Sequence, residues 1–290
     1  MRIAFIGLGN MGGPMAQNLA AAGHNIAGVD PVATPEGISI AASATEACAK
    51  ADVAITMLPN GAILKAVAAE LIPALPAGAV FIDCSTVDID SARAVAKQAA
   101  DAGIGMLDAP VSGGIKGAAD GALTFMIGGD TDALETTKGL FDIMGQKAVY
   151  CGTAGAGQAA KICNNMILGV TMLGTCEAFA MADKLGLDRQ AMYDVVSTSS
   201  GYSWTMNAYC PAPGVGPASP ADNDYKPGFA AELMLKDLGL SQDAASACDA
   251  DTPMGQLANE LYTKFVTEGG QGVDFSGVLP WLAARGNANA

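Results

Sequence analysis

The sequence of 290 residues contains a single histidine, His24. A Ser-His-Asp triad, a zinc site built from several histidines or a histidine proton relay would each depend on that one ring. His24 lies in the stretch AGHN, just before an apolar run, so we interpret it as a turn residue. An enzyme with this sequence that moves protons would therefore use a lysine, a tyrosine or a carboxylate.

Cysteines and basic residues also restrict the possible functions. The seven cysteines form no Cys-x-x-Cys pair and their number is odd, so we interpret them as buried thiols of a reducing compartment. The chain has 15 Lys and Arg against 29 Asp and Glu, a formal net charge of −14, which disfavours nucleic acid as a partner. A small anionic substrate would meet the same repulsion, so its site must gather positive charge locally.

No segment has the composition of a leader or of a membrane anchor. An apolar strand is predicted from the first residues, with no basic segment before it, so we expect neither a secretory signal nor a transit peptide. The longest apolar stretch, residues 166–181, is interrupted by Thr, Gly and Glu177, which favours a buried helix over a membrane span. We therefore expect a soluble, cytoplasmic protein without a membrane partner.

Short apolar runs alternate with helical patterns in the first half of the chain. Strands are predicted at residues 3–6, 26–29, 53–57, 79–82, 105–107, 123–127 and 148–150. A capping-box pattern, Ser43 to Glu46, predicts a short helix, and another helix is expected from about Asp132. Continuous apolar strands between helices indicate a parallel sheet with both faces covered.

The pattern changes after Gly157. Helices are predicted at residues 161–183, 188–197, 229–247, 253–268 and 275–284, with a proline-rich loop at 211–227. The fold class that follows is α/β, an N-terminal Rossmann-type doubly wound sheet followed by an all-helical C-terminal domain. We place the domains at residues 1–155 and 156–290.

A glycine-rich motif follows the first predicted strand and begins a helix, the context in which G-x-G-x-x-G binds a dinucleotide. Its residues are Gly7, Leu8, Gly9, Asn10, Met11 and Gly12. Gly7 would form the tight turn, Gly9 would let the backbone approach the pyrophosphate, and Gly12 would let helix and strand pack closely. The alternative is a glycine-rich turn without a ligand.

Asp30 ends the second predicted strand, at the distance past the glycine motif where an acidic residue is expected to bind the adenosine ribose. The following PVAT contains no Arg or Lys for a 2′-phosphate, so we predict NAD rather than NADP; a solvated strand-end residue is the alternative. Two pairs of residues, Leu58 with Pro59 and Ser85 with Thr86, lie at the carboxyl ends of two further strands and should line the nicotinamide side, unless they are ordinary turn residues.

Lys161 is the one cation at the start of an otherwise apolar helix, and Asn165 shares its face because the two lie one helical turn apart. Burial disfavours the charged form of a lysine, so such a group could exchange a proton near neutral pH. A structural lysine that extends its ammonium group to solvent is the alternative.

Four stretches together resemble the β-hydroxyacid dehydrogenase family, and within it the 3-hydroxyisobutyrate group. They are FIGLGNMG at residues 5–12, DAPVSGG at 108–114, GAGQAAKICNN at 155–165 and KDLGL at 236–240. The resemblance covers nearly the whole chain. It implies that Lys161 is the catalytic acid–base, that Asn165 binds substrate, and that Ser112, Gly113 and Gly114 hold the substrate carboxylate.

The same resemblance places Lys236 at the cofactor and substrate cleft, although an ion pair with Asp237 or another acid is an alternative. It also suggests Trp204 and Tyr209 as walls of the substrate pocket, with plain packing as the alternative. The group commonly has Tyr-Asn-Pro where this chain has Tyr-Cys-Pro. Cys210 therefore puts a substrate role for that position in doubt.

The function implied is NAD-dependent oxidation of 3-hydroxyisobutyrate to methylmalonate semialdehyde, a step of valine breakdown. A related tartronate semialdehyde or succinic semialdehyde reductase would share every motif above, and a non-catalytic NAD-binding protein is a rival from another class. The resemblance further implies a homodimer or homotetramer formed through the helical domains. We expect a small carboxylate substrate and no metal.

Overall fold

The computed structural model describes residues 1–288 and divides the chain into two compact units, Met1–Lys161 and a second that begins at Ile162. The first unit has nine strands: β1 (Arg2–Ile6), β2 (Asn25–Val29), β3 (Ser39–Ile40), β4 (Val53–Thr56), β5 (Val80–Asp83), β6 (Gly105–Asp108), β7 (Val111–Ser112), β8 (Leu123–Gly129) and β9 (Gly145–Gly152). Its complete helices are α1 (Gly12–Ala21), α2 (Ala44–Cys48), α3 (Gly61–Leu71), α4 (Ile89–Asp101), α5 (Gly114–Ala119) and α6 (Thr131–Met144). A further helix, α7 (Ala156–Leu185), begins in this unit.

Side chains at the helix starts explain where several of these helices begin. Asn60, Asp88 and Asp130 each precede a helix and accept a backbone N–H from its first turn. Ser43 caps α2 by accepting the amide of Glu46, as the predicted capping box requires. The Glu46 carboxylate, however, accepts the amide of Ala42 instead of the amide of Ser43.

The strands form one sheet in the order β3-β2-β1-β4-β5-β6-β8-β7, with β9 beside β8. The first six positions have the 3-2-1-4-5-6 order of a Rossmann fold, which confirms the predicted fold class. The strands β1, β4, β5 and β6 are mutually parallel and in register, so their carboxyl ends lie at one edge. Ligands of open α/β sheets bind beyond that edge.

The sheet departs from the predicted parallel arrangement at β8. This strand is antiparallel to β6 and also to the unpredicted two-residue strand β7. The reason is the short connection between β7 and β8, which holds only the six-residue helix α5. A parallel crossover needs about a dozen residues or more, usually with a full helix, so the chain reverses direction here.

Both faces of the sheet are covered by apolar clusters. One cluster joins β1, β4 and β8 to α1 and α6, with Phe5, Phe125 and Phe141 at its centre. The other packs α2, α3 and α4 on the opposite face around Phe81. The strands are buried on both sides, which explains their continuous apolar sequences.

The second unit is helical, as predicted. It contains the rest of α7, α8 (Arg189–Val196), α9 (Trp204–Asn207), α10 (Ala231–Ala247), α11 (Pro253–Phe265) and α12 (Val278–Ala288). Short 3₁₀ turns lie at Pro220–Asn223 and Phe275–Gly277, and another lies at Ile72–Ala74 in the first unit. The predicted helix at 253–268 is observed as α11 followed directly by a wider helical turn, Val266–Gly270, in which only Gly269, with φ +117°, leaves the helical conformation. A separate core centres on Phe179, Tyr262 and Phe275.

Among the described helices, α7 alone is long and apolar enough to cross a bilayer. Met172, Cys176 and Phe179 on this helix are fully buried in the core of the second unit. We therefore interpret α7 as a core helix of the second unit.

The prediction of buried cysteines is correct for four residues, Cys48, Cys84, Cys176 and Cys210. It is wrong for Cys151, Cys163 and Cys248, which are exposed. Their neighbours explain the exposure: Cys151 belongs to the exposed strand β9, Cys163 lies on an outward face of α7, and Cys248 follows the end of α10.

Candidate active site

The glycine motif forms the turn between β1 and α1. Gly7 has φ +93°, and a Cβ there would meet the backbone carbonyl of Met57. Position 12 has no room for a side chain either, because a Cβ added there would meet the Gly7 carbonyl and lie 3.0 Å from the Phe5 ring. Gly9 is exposed, with open space beside its Cα. Two glycines are thus required by packing, and the third leaves the backbone accessible to a ligand.

Asp30 is bonded to the glycine loop. Its Oδ2 accepts the Leu8 amide at 2.8 Å, and its Oδ1 accepts the amides of Val32 at 2.9 Å and Ala33 at 2.8 Å. A carboxylate has about four lone-pair positions, so one on Oδ2 remains for a ribose hydroxyl. Burial by itself raises the pKa of Asp30, but the donors of Ala33, Val32 and Leu8 hold it below its ordinary value.

The residues present therefore fit NAD. The open approach at Gly9 suits a pyrophosphate, and the charged Asp30 suits a ribose with free hydroxyls and would repel a 2′-phosphate. Asn10 is exposed and Met11 half-buried at the start of α1. The predicted alternative of a merely solvated Asp30 does not describe its hydrogen bonds to three backbone amides.

Three polar residues stand side by side where β4, β5 and β6 end. The parallel register pairs Thr56 with Asp83, and Asp83 with Asp108. Asp83 Oδ1 accepts the hydroxyls of Thr56 at 2.7 Å and Ser85 at 2.5 Å, and the Ser85 hydroxyl accepts the Leu58 amide at 2.8 Å. The predicted nicotinamide-side residue Leu58 is thus tied to the end of β5.

The environment of Asp83 is unusual for a carboxyl group. Asp83 is fully buried, and its Oδ2 has no hydrogen-bond partner among the described residues. Burial raises the pKa of Asp83 to about 6; the bonds from Ser85 and Thr56 oppose this rise, and the negative charge of Asp108 adds to it. The Asp83 carboxyl group therefore gains or loses its proton at a pH just below neutral, close to its pKa of about 6.

Asp108 connects the end of β6 to the first turn of α7. Its Oδ1 accepts the Gly155 amide at 2.7 Å and its Oδ2 the Gln158 amide at 2.9 Å. Gln158 in turn donates to the Ser85 carbonyl at 2.8 Å and accepts the Val87 amide at 3.1 Å. The start of α7 is therefore held to the ends of β5 and β6.

Lys161 lies one turn further along α7 than Gln158 and is buried, with 8% of its surface exposed. That low exposure does not fit a lysine extended to solvent. Pro59 is exposed and Thr86 half-buried, after β4 and β5 respectively. The first unit thus brings the predicted acid–base and the predicted nicotinamide-side residues to the same edge of the sheet.

The predicted carboxylate-binding residues lie at the end of β7, with Ser112 as its last residue and Gly113 and Gly114 directly after it. Gly113 and Gly114 have φ +136° and +63°, so both adopt backbone conformations that other residues rarely take. Both glycines are exposed and Ser112 is half-buried. Their backbone and the Ser112 hydroxyl can be approached, although the turn alone also accounts for the glycines.

Asn165 and Lys236 are joined in the second unit by Asp237. The buried Asn165 donates its amide to Asp237 Oδ2 at 2.5 Å, and Lys236 Nζ lies 3.7 Å from Asp237 Oδ1. The alternative in which Lys236 pairs with Asp237 is thus observed. We predicted Asp237 only as that partner, and its bond to the distant Asn165 on another helix has no signal in the sequence.

Trp204 and Tyr209 stack on each other, with ring centroids 4.9 Å apart. The Tyr209 hydroxyl donates to Asp274 at 2.8 Å and its ring contacts Phe275. Trp204 is half-exposed, whereas Cys210 lies fully buried in the core. The contacts of Tyr209 are those of the packing alternative, and Cys210 has the surroundings of a core residue.

Three buried polar residues at the strand edge, Asp83, Asp108 and Gln158, were not predicted. Asp83 and Asp108 each follow an apolar run, a signal that the sequence contains, but only the sheet register makes them neighbours. His24 lies in a turn, as predicted, with Nδ1 3.2 Å from the amino terminus. No group of metal ligands occurs among the residues that the structure describes.

Comparisons with known proteins give matches over nearly all of the chain. Residues 2–152 match the NAD-binding domain of 6-phosphogluconate dehydrogenase, and residues 155–282 match a family described as NAD-binding of NADP-dependent 3-hydroxyisobutyrate dehydrogenase. A probable 3-hydroxyisobutyrate dehydrogenase of Mycobacterium tuberculosis is 46% identical over 99% of both chains. An NAD-dependent L-serine dehydrogenase of Pseudomonas aeruginosa is 45% identical over 95% of both.

The solved structure of M. tuberculosis 3-hydroxyisobutyrate dehydrogenase with L-serine has a TM-score of 0.92 and 46% identity, and the match covers 97% of this chain and 98% of that one. The likeness therefore extends through both units. The glycine turn, the charged Asp30 and the strand order agree with the family matches. The chain belongs to the β-hydroxyacid dehydrogenase family, with 3-hydroxyisobutyrate dehydrogenases among its relatives, and is an NAD-dependent hydroxyacid dehydrogenase.

Proposed function

We propose that this enzyme oxidises 3-hydroxyisobutyrate to methylmalonate semialdehyde, with Lys161 as the acid–base. The observation that carries the proposal is the buried Lys161 on a helix whose first turn is bonded to the ends of β5 and β6. That edge is where open α/β sheets bind their ligands. A cytoplasmic location and a place in valine breakdown belong to the same proposal.

Bound NAD supplies the hydride acceptor for this chemistry. Lys161 accepts the hydroxyl proton of the substrate, directly or through one water, as the carbonyl forms. Ser112 and the backbone of Gly113 and Gly114 hold the carboxylate, and Asn165 orients the substrate. Lys236 contributes positive charge, which a chain of net charge −14 must concentrate near an anionic substrate.

L-serine is a second candidate substrate, favoured by the relative named L-serine dehydrogenase and by the solved structure with L-serine. Serine and 3-hydroxyisobutyrate share a hydroxymethyl group beside a carbon that bears a carboxylate. They differ in the third group on that carbon, an ammonium in serine and a methyl in 3-hydroxyisobutyrate. An ammonium needs acceptors around it, whereas a methyl needs only apolar contact.

Initial rates with a substrate panel test this proposal. We expect the highest kcat/KM for 3-hydroxyisobutyrate with NAD, among 3-hydroxyisobutyrate, L-serine, glycerate and 4-hydroxybutyrate, each with NAD and with NADP. Faster oxidation of L-serine would overturn the assignment of 3-hydroxyisobutyrate as the substrate. Preference for glycerate or 4-hydroxybutyrate would point instead to a tartronate or succinic semialdehyde reductase. A preference for NADP would contradict the role of Asp30, and NAD binding without any turnover would support a non-catalytic protein.

We also propose that the enzyme forms a homodimer or homotetramer through α7. Ile167, Met181 and Leu185 are 60%, 61% and 75% exposed, and their spacing puts them on one face of this helix. Only 44% of the most apolar part of α7 is buried within the chain. A second copy of the chain would cover this stripe.

Light scattering after gel filtration measures the oligomer directly. Met181→Glu places a charge in the stripe and is expected to shift the protein toward the monomer. Val32→Glu is the matched control, since Val32 is 87% exposed in the first unit. A wild-type protein that is monomeric at micromolar concentration would contradict the proposal.

A further inference from the structure

Asp83 controls the hydrogen bond that joins the ends of β4 and β5. The Ser85 hydroxyl has one proton, which it donates to Asp83 Oδ1 at 2.5 Å. Its lone pair is then directed to the Leu58 amide, 2.8 Å away. Thr56 donates to the same Asp83 oxygen and holds it from the neighbouring strand. The orientation of one hydroxyl group therefore depends on the carboxylate behind it.

We propose that Asp83 is a positioning residue for the nicotinamide half of the cofactor, acting through Ser85 to hold the loop that begins at Leu58. The inference rests on the proposed placement of nicotinamide beside Leu58, Pro59 and Thr86. The adenosine half is bound elsewhere, at the glycine turn and Asp30. Asp83 therefore affects one half of the dinucleotide and leaves the other unchanged.

A purely structural role would not require a charge at this position. A buried carboxylate is costly unless its oxygens are fully hydrogen-bonded, and Asp83 Oδ2 has no partner in the described chain. The charge strengthens the bond from Ser85, because hydrogen bonds to ionised acceptors are shorter and stronger than neutral ones. Because Oδ1 also accepts the Thr56 hydroxyl and the Ser85 amide, an asparagine would keep an oxygen in this place but without the charge, so its hold on the Ser85 hydroxyl would weaken.

Protonation should have the same effect as the asparagine. Thr56, Ser85 and the carboxyl of Asp108 face Asp83, and the thiol of Cys84 follows it in the chain. Burial raises the pKa of Asp83 to about 6, so the carboxylate is lost as the pH falls through that value. The pKa of Asp30 is lowered, so the adenosine side does not change charge in this range.

The test compares two ligands, NADH and ADP-ribose, which lacks the nicotinamide ring. Asp83→Asn is expected to raise the Kd of NADH about tenfold at pH 7.5, the loss of about one hydrogen bond to a charged group, and to leave the Kd of ADP-ribose unchanged. NADH affinity of the wild type should fall between pH 7 and pH 5, and this fall should be smaller in the variant. Fluorescence titration measures the Kd of NADH, and calorimetry measures the Kd of ADP-ribose.

Two further variants identify the route. Ser85→Ala should weaken NADH binding as Asp83→Asn does. The double variant should bind NADH no more weakly than either single variant, because both substitutions remove the same contact. Asp52→Asn is the control, since Asp52 precedes β4 at the opposite edge of the sheet and pairs with Arg2. It should leave both affinities unchanged.

If Asp83→Asn weakens the binding of NADH and of ADP-ribose equally, the substitution disturbs the whole cofactor-binding unit and the proposal is overturned. An unchanged NADH affinity would overturn it directly. If Asp83→Asn does not fold, Ser85→Ala with the same two ligands decides. None of these measurements requires turnover. An inactive wild type in the substrate panel would therefore refute the proposed substrate while this result stood.

Discussion

Replacing Lys161 by alanine is expected to lower kcat by about 10²–10⁴-fold, the usual contribution of a general acid–base. The variant keeps the glycine turn, Asp30 and the bonds that hold the start of α7, none of which involves the Lys161 side chain. NADH affinity should therefore stay within about twofold of the wild type, a difference of about 0.4 kcal/mol. Steady-state rates and NADH titration measure the two quantities separately.

Lys161→Arg separates the proton from the charge. Arginine keeps a positive charge but does not lose its proton in proteins, so this variant should show a similarly large loss of kcat. Lys184→Ala is the matched control, the same substitution at an exposed position of the same helix. It should retain normal turnover. Near-normal kcat in Lys161→Ala would remove the lysine from the mechanism.

Replacing Asp274 by alanine is expected to destabilise the second unit by about 3–5 kcal/mol, because several hydrogen-bond donors lose their acceptor and each buried donor left unsatisfied costs about 1–3 kcal/mol. Asp274 is fully buried, and its Oδ2 accepts the Tyr209 hydroxyl and the amides of Gly228 and Phe229. Its Oδ1 accepts the hydroxyl and the amide of Ser276. Alanine would leave all of these donors without this acceptor.

Urea unfolding followed by tryptophan fluorescence measures this loss, because both tryptophans, Trp204 and Trp281, belong to the second unit. Tyr209→Phe removes one of these hydrogen bonds and should cost about 1 kcal/mol. Asp243→Ala, an exposed aspartate on α10, should stay within about 0.5 kcal/mol of the wild type. Equal midpoints for Asp274→Ala and Asp243→Ala would show that the network contributes little.

Tyr209 shows how a resemblance and a structure can emphasise different properties of one residue. The motif suggested a pocket wall, while the fold ties the hydroxyl to Asp274, which lies far along the chain. Tyr209→Phe therefore tests the pocket as well as stability. A large rise in substrate KM with a small change in stability would support the predicted pocket role.

The cofactor end was predictable because its residues act within one short segment. The strand, the glycine turn, the helix and Asp30 follow one another between Arg2 and Asp30, and glycine spacing reflects local steric demands. The helices of the second half were predictable for a similar reason, since apolar periodicity and local breaks define them. The direction of β8 was not predictable, because it depends on which strands β8 pairs with, and strand pairing is not a local property of the sequence.

The sequence by itself determined the Rossmann-type fold class, the dinucleotide turn and a lysine at the start of a long apolar helix. Only the tertiary structure decided which polar residues meet at the strand ends, beside the start of that helix. Thr56, Asp83 and Asp108 are distant along the chain and become neighbours because parallel strands align their carboxyl ends. The environment that sets charge and hydrogen bonding is made by packing between distant segments, and periodicity along one segment does not encode it.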